Sequence, residues 1–293
     1  MTLSLLASKE AEASSEMVKI VPLAPQALKD LTWAPYSYFT VGSLCDHLAR
    51  FPDLGWRAEG KGDYAVGGYW KQRSEVGLIL ETTASPFRPR LVARLLEAYR
   101  GNQARLVLLS DREEQRALEF YLGAGFGSVE TVVIYEKPNV LVPSRPRRLD
   151  IRAFRPGDGP QLAALEQATF PWLWWYDARE YLALWEAGDR SIYLAFRDRS
   201  LVGYAITTVR DHLGHLDRLG IHPSCQGLGY GADLLAFAIQ RMASQGAWRV
   251  GLSTQAENER SQRLYEGFGF RRTGDSYRLY GLWLDHPGYQ VRT

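Results

Sequence analysis

Ile-His-Pro-Ser-Cys-Gln-Gly-Leu-Gly-Tyr-Gly, residues 221–231, joins an apolar strand to a helix through a glycine-rich loop. Gly227, Gly229 and Gly231 fall within the six residues that begin at Gln226, and Leu234, Leu235, Ala238, Ile239 and Met242 then recur at helical spacing. Glycines let backbone N–H groups converge without side-chain obstruction, and a helix start carries partial positive charge. Loop and helix together make a receptor for phosphate oxygens. Two common phosphate-binding patterns do not fit. A dinucleotide fold wants an acidic residue about 20 residues past the loop, and none stands between Ala243 and Ala256. The nucleotide-hydrolase loop wants Gly-Lys-Ser/Thr, which is absent.

The run Gln226-Gly227-Leu228-Gly229-Tyr230-Gly231 resembles the Gln/Arg-x-x-Gly-x-Gly/Ala motif of the GNAT N-acetyltransferase superfamily. Residues 255–270, QAENERSQRLYEGFGF, resemble that family's next block, an Asn before a short helix ending in Leu-Tyr-Glu and Gly-Phe. The blocks come in the family's order and at its spacing, and the resemblance covers about 149–284. It implies transfer of an acetyl group from acetyl-CoA to a primary amine of a small molecule or peptide, by direct attack in a ternary complex. The other class of reading is a non-catalytic acyl-CoA-binding or scaffold protein that kept the loop.

The resemblance also assigns residues. The coenzyme's diphosphate would sit on the N–H groups from Gly227 to Gly231, and its pantetheine arm would pair with Leu219-Gly220-Ile221 as an added strand. Gly220 marks a bulge or a close backbone approach, and the N–H of Gly220 or Ile221 would polarise the thioester carbonyl. Asn258 and Ser261 complete the cofactor contacts. Tyr265 matches the family's tyrosine whose hydroxyl faces the thioester sulfur, where it could protonate the departing thiolate. As a lone residue it reads also as an aromatic packed beside Phe268 and Phe270.

An amine must lose a proton before it attacks, so a base or water chain is needed. Strict alternation along 215–221, HLDRLGI, puts His215, Asp217, Leu219 and Ile221 on one face and Leu216, Arg218 and Gly220 on the other. In relatives with an obvious base a carboxylate stands near the start of this strand; here His215 takes that place, with Asp217 two residues on. Either serves as candidate base. The plainer alternative pairs Asp217 with an arginine.

Phe170-Pro171-Trp172-Leu173-Trp174-Trp175-Tyr176 is dense in aromatic rings between two helical segments. In the family this loop lines the acceptor pocket, which makes Trp172, Trp174, Trp175 and Tyr176 candidate substrate contacts, suited to an apolar chain or an ammonium group. A hydrophobic plug is the competing reading.

The 293 residues leave room for two domains, and 46% hydrophobic with 23% charged residues suits a packed soluble protein. A net charge of +2 gives no case for nucleic acid, and the basic run Arg145-Pro146-Arg147-Arg148 reads as a solvated linker. Cys45 and Cys225 are the two cysteines, without a His/Cys cluster, so neither a disulfide framework nor a metal site is expected, and cytoplasmic thiols are. No apolar run reaches membrane-spanning length. The expected organisation is a loose extension at 1–16, a first domain at 17–140, a linker at 141–148 and a second domain at 149–293.

The two halves repeat. EFYLGAGF at 119–126 parallels RLYEGFGF at 263–270, with Tyr121 on Tyr265, Gly125 on Gly269 and Phe126 on Phe270 at one offset of 144. A duplicated unit this long implies two copies of one domain, and the tandem arrangement resembles that of the mycothiol synthases. Each copy is expected as an α/β (α+β) fold, a mostly antiparallel mixed sheet with helices on both faces, in a monomer or homodimer. The first copy has lost the loop. After Leu80 it reads ETTASPFRPRLVARLL, without glycine, and Glu114 stands where the second copy has Asn258. Productive coenzyme binding is therefore expected of the second copy alone.

Overall fold

The computed structural model describes residues 18–34, 37–144 and 148–284. The expected extension at 1–16, the first residue of the expected first domain, Met17, and linker residues 145–147 lie outside the described residues. The chain divides into two compact units, one running to Val129 and resuming at Leu279, the other spanning Glu130–Arg278.

The first unit holds β1 (Ile20–Pro22), α1 (Val41–Arg50), β2 (Gly55–Ala58), β3 (Tyr64–Tyr69), β4 (Val76–Thr82), α2 (Arg88–Gly101), β5 (Leu106–Leu109) and α3 (Asp111–Gly123). Strand β6 (Gly127–Lys137) starts there and runs into the second unit. The second unit continues with β7 (Asp150–Ala153), α4 (Gly159–Thr169), α5 (Ala178–Ala187), β8 (Arg190–Arg197), β9 (Ser200–Arg210), β10 (Leu213–Ile221), α6 (Tyr230–Ser244), β11 (Arg249–Gln255), α7 (Glu259–Gly267) and β12 (Arg271–Trp283). These bounds follow the sequence pattern closely. Helix α5, for example, starts where the Asp177 side chain accepts the N–H of Arg179 and Glu180 and ends at Gly188, whose φ of 69° is a left-handed stop.

Both units repeat one pairing scheme. In the first, β1 to β4 pair antiparallel in order and β4 runs parallel to β5. In the second, β7 to β10 pair antiparallel and β10 runs parallel to β11. The next strand is exchanged. β11 pairs with β6, from Lys137 opposite Val250 to Val132 opposite Gln255, and β5 pairs with the end of β12, from Gly281 opposite Leu108 to Trp283 opposite Leu106. The division therefore falls at 129/130 and 278/279, and not in the 141–148 linker. A residue period counts positions along the chain and cannot tell which sheet edge a strand takes, so the exchange left no trace in the repeat.

Helices cover both faces of the second sheet. One core packs α6 on Ala195, Val202, Ala205, Leu216 and Ile221; the other packs α4 and α5 on Ile192, Leu194, Tyr204 and Ile206. Alternate strand residues enter opposite cores, as the pleat requires.

A bulge breaks the alternation in β10. The register with β9 shifts between Leu216 and Arg218, leaving Asp217 as the extra residue. Leu216 thereby joins Leu219 and Ile221 in the α6 core. Arg218 turns onto the opposite face, where it meets Glu166 and the Phe170 and Tyr176 rings, and His215 and Asp217 bond to each other beside Thr208. Strict alternation had put Leu216 with Arg218 and Asp217 with Leu219. One inserted residue reverses every assignment after it. Gly220 is not the bulge; it is the close approach, since a Cβ there would stand 2.7 Å from the Tyr204 ring and 3.0 Å from Phe170.

Candidate functional site

The parallel pairing of β10 with β11 lasts four residues, from Leu213 opposite Arg249 to Leu216 opposite Leu252. Beyond it β10 stays on β9 and β11 stays on β6. The two strands part at the Asp217 bulge and open a slot. Backbone bonding sets which groups look into it. The His222 N–H donates to the Val202 carbonyl at 2.9 Å, so Gly220, two residues back, is the next hydrogen-bonded position facing β9, and Leu219 and Ile221 turn their N–H groups into the slot. Of the two N–H groups expected to polarise a carbonyl, that of Ile221 faces the slot and that of Gly220 does not. Gly220 is committed to the sheet.

The glycine loop closes one end. Gly227 and Gly229 both have φ of 82°, the left-handed region that a residue with a Cβ rarely enters. Gly229 caps α6 with no side-chain bond, and the first intrahelical bond runs from the Asp233 N–H to the Gly229 carbonyl at 3.1 Å. The N–H groups of Tyr230, Gly231 and Ala232 precede it and have no partner within the helix. Such a nest suits a diphosphate. Gln226 ties the loop down: its Nε2 donates to the Ile221 carbonyl at 3.0 Å, and its Oε1 accepts from Arg260. Leu228 is exposed at the loop tip, and its carbonyl accepts from Arg148 Nη1 at 2.8 Å. Arg148 also donates its backbone N–H to Asp233 at 3.2 Å. Arg148 is thus part of the loop's scaffold and not the end of a solvated linker; a charge run read alone carries no sign of its partner.

Helix α7 lies beyond. Asn258 caps it, its Oδ1 accepting the Ser261 N–H at 3.2 Å, which leaves the amide nitrogen as the part the cap does not use. Tyr265 is buried, packed between Phe270 and Tyr135 with its hydroxyl bonded to Ser261. Burial is the main cause that pushes its pKa up to about 12, so the phenol keeps its proton at neutral pH.

On the opposite face of β10, His215 Nδ1 stands 3.1 Å from Asp217 Oδ1, and Asp217 Oδ2 accepts from Thr208 at 2.6 Å. An ionised carboxylate only accepts, so Asp217 fixes the proton on Nδ1 and leaves Nε2 as the accepting nitrogen. The arginine partner weighed for Asp217 is instead this histidine.

The aromatic loop is anchored from below. Arg218 bonds Glu166 Oε1 at 3.2 Å, donates to the Trp174 carbonyl, and lies 4.7 Å and 4.3 Å from the Phe170 and Tyr176 ring centres. Glu166 is fully buried and also accepts from Tyr204 and from the Tyr176 N–H at 3.3 Å. Tyr176 thus serves the anchor. The Trp175 indole donates to the Phe170 carbonyl at 2.6 Å, while the Trp174 indole reaches Glu130 Oε2 at 3.4 Å. Trp172 lies in the single turn Trp172–Trp174, half-buried. Neither Glu130 nor the Arg218–Glu166 pair was signalled: each is one charge in an ordinary element until the fold buries it.

The first unit has the same slot, filled. Its parallel pairing ends at Ile79 opposite Leu109, and the β3–β4 register shifts over the next residues. The Thr82 N–H, equivalent by this register to that of Leu219, donates to Glu113 Oε1 at 3.1 Å. Glu113 Oε2 accepts from the Thr82 and Tyr121 hydroxyls at 2.7 Å each. Tyr121, the repeat of Tyr265, is spent on a carboxylate of its own chain.

Residues 159–270 match the model of the Acetyltransferase (GNAT) family. The chain is similar to a mycothiol acetyltransferase from Brachybacterium faecium, 30% identical over 140 residues, which covers 45% of this chain and 38% of that protein. It spans less than half the length of the curated relatives it matches. Among solved structures it shares its fold with a GCN5-related N-acetyltransferase from Sphaerobacter thermophilus, at a TM-score of 0.57 and 18% identity over 94% of this chain and 98% of that one. A tandem GNAT protein from the clavulanic acid biosynthesis pathway aligns at a TM-score of 0.54 and 13% identity, over 93% of this chain and all of the other. Both alignments run through the two units. No described helix is long and apolar enough to cross a membrane.

Proposed function

We propose, from the match of residues 159–270 to the GNAT acetyltransferase family and from the tandem GNAT fold, that the chain moves an acetyl group from acetyl-CoA to a primary amine in a ternary complex. The carrying observation is the parting of β10 and β11 beside a helix start whose first N–H groups have no partner within the helix. The residues fit the coenzyme: a backbone nest from Gly227 to Gly231 for the diphosphate, and the inward N–H groups of Leu219 and Ile221 for the arm. Bound there, acetyl-CoA supplies an activated acetyl thioester.

The chain's own groups divide the remaining work. His215 Nε2 accepts the proton of the acceptor ammonium, with Asp217 as a positioning residue that holds the ring and stabilises its charge. The N–H of Ile221 or Leu219 donates to the carbonyl oxygen as charge develops. Tyr265 donates a hydrogen bond toward the leaving sulfur. At a pKa of about 12 it is a far weaker acid than a thiol of about 8.5. Net protonation would run uphill by roughly 5 kcal/mol. Its contribution is therefore a hydrogen bond, and the released thiolate is neutralised by the second proton that the attacking nitrogen sheds on becoming an amide, passed through water, while the proton on His215 returns to solvent.

Thiol release from acetyl-CoA in the presence of an amine panel tests the reaction; amine-dependent release supports it, and none across the panel rejects it. Tyr265→Phe is expected to lower kcat about tenfold to a hundredfold with KM for acetyl-CoA within about twofold; an unchanged kcat would remove the phenol from the mechanism. Asp217→Asn turns the His215 tautomer and is expected to lower kcat by a similar factor. A pH profile displaced toward that of His215→Asn would support the positioning role, and a superimposable profile with normal kcat would refute it.

A further inference from the structure

Three strands present one face toward the acceptor side of the slot. His215 pairs with Gly251, Ser253 with Ile134 and Gln255 with Val132. Paired residues share a face, so the face continues along β6 from Ile134 through Val132 to Glu130. Strand β6 comes from the first repeat, and its residues from Glu130 onward lie in the second unit. Glu130 is half-buried on it, beside the Trp174 indole at 3.4 Å. The Tyr277 hydroxyl bonds Ser253 on the same face and feels the Glu130 charge.

The neighbours of Glu130 are neutral or negative. It accepts from the Trp174 indole and the Thr131 backbone, and Glu257 repels it. No cationic side chain pairs with it among the described residues. Burial, first, and Glu257 hold its carboxyl above the usual carboxylate range. A half-buried carboxylate with only neutral donors lacks the cation that would offset its desolvation. Asp217, by contrast, is satisfied by His215 and Thr208. Glu130 is too far round the sheet to take the reacting proton: it lies one strand beyond β11, on the order of 10 Å from the slot.

We propose that Glu130 holds a second, non-reacting cationic group of the acceptor, beside the Trp174 indole, so that the preferred acceptor class is an amine carrying another positive charge. The inference rests on the acetyl-transfer reading. The spacing selects molecules long enough to reach from slot to carboxylate. The first repeat, whose own slot is filled by Glu113, thereby contributes an acceptor determinant through its exchanged strand.

The test compares 1,8-diaminooctane with n-octylamine, and 1,6-diaminohexane with n-hexylamine, as acceptors in the thiol-release assay with the full chain. Each pair differs by one terminal charge. The wild type is expected to prefer the diamine by about tenfold in kcat/KM beyond the statistical factor of about two, the worth of one half-buried ion pair. In Glu130→Gln the preference should collapse toward the statistical factor. Equal use of both members by the wild type overturns the inference while leaving acetyl transfer intact. A preference that survives in Glu130→Gln overturns it as well. Release with other amines of the panel but with none of these four overturns the inference and leaves acetyl transfer intact, whereas release with no amine at all removes both.

Discussion

Arg218→Ala is expected to destabilise the second unit by about 3–5 kcal/mol, the usual cost of removing one partner of a buried ion pair. Arg218 is 8% exposed and Glu166 is 0% exposed. Truncation would leave the Glu166 charge among neutral donors such as the Tyr204 hydroxyl and the Tyr176 N–H. It would also empty the space between Phe170 and Tyr176 and release the Trp174 carbonyl. At about 2–4 °C per kcal/mol for a domain of this size, the melting temperature should fall by roughly 10 °C. The charge, more than the lost volume, is the cause. Pairing Arg218→Met with Glu166→Gln should therefore restore much of the loss, because neither member then buries an uncompensated ion. A melting temperature within about 2 °C of wild type for Arg218→Ala would show the pair to be dispensable.

The second large effect falls on the loop. Gly229→Val is expected to weaken acetyl-CoA binding about a hundredfold, roughly 2.7 kcal/mol, with little effect on the melting temperature. At φ of 82° a β-branched residue is strained by about 1–3 kcal/mol. The chain relieves that by turning the loop, and the turn moves the N–H groups of Tyr230 and Gly231 off the diphosphate. A new Cβ would stand 3.1 Å from Arg148 Nη2, a flexible end that can move, so backbone angle and not crowding decides the result. Gly231 is the control. Its φ is not positive and a Cβ there would meet Leu264 at 3.5 Å, an ordinary contact. Gly231→Ala should bind acetyl-CoA within a few-fold of wild type. Unchanged affinity in Gly229→Val, measured by calorimetry, would refute the nest.

Local chemistry was legible. Three glycines, a capped helix at Asn258 and the pattern of 215–221 give the loop, α7 and β10 from the sequence alone, because each depends on residues within a few positions. Strand exchange was not legible, since β6 and β12 read alike whichever sheet they join. The Asp217 bulge was not legible either: Asp217 is compatible with a regular strand, and only the register against β9 reveals the extra residue. That single insertion decided the faces of Arg218 and Leu219. Tandem charges told least. Glu113, Glu130, Glu166 and Arg148 look like surface residues in their local context, and each has a partner 31 to 85 residues away that gives it its role.

The first unit shows how a slot is retired. Its parallel pair, its register shift and its tyrosine persist, yet Glu113 occupies the N–H that a coenzyme arm would need. Two units of one fold thus hold one open slot.

Titration of acetyl-CoA into the full chain by calorimetry bears on this most directly. A single saturable site per chain, lost in Gly229→Val, is the predicted result. Absence of heat, or two equivalent sites per chain, would contradict it.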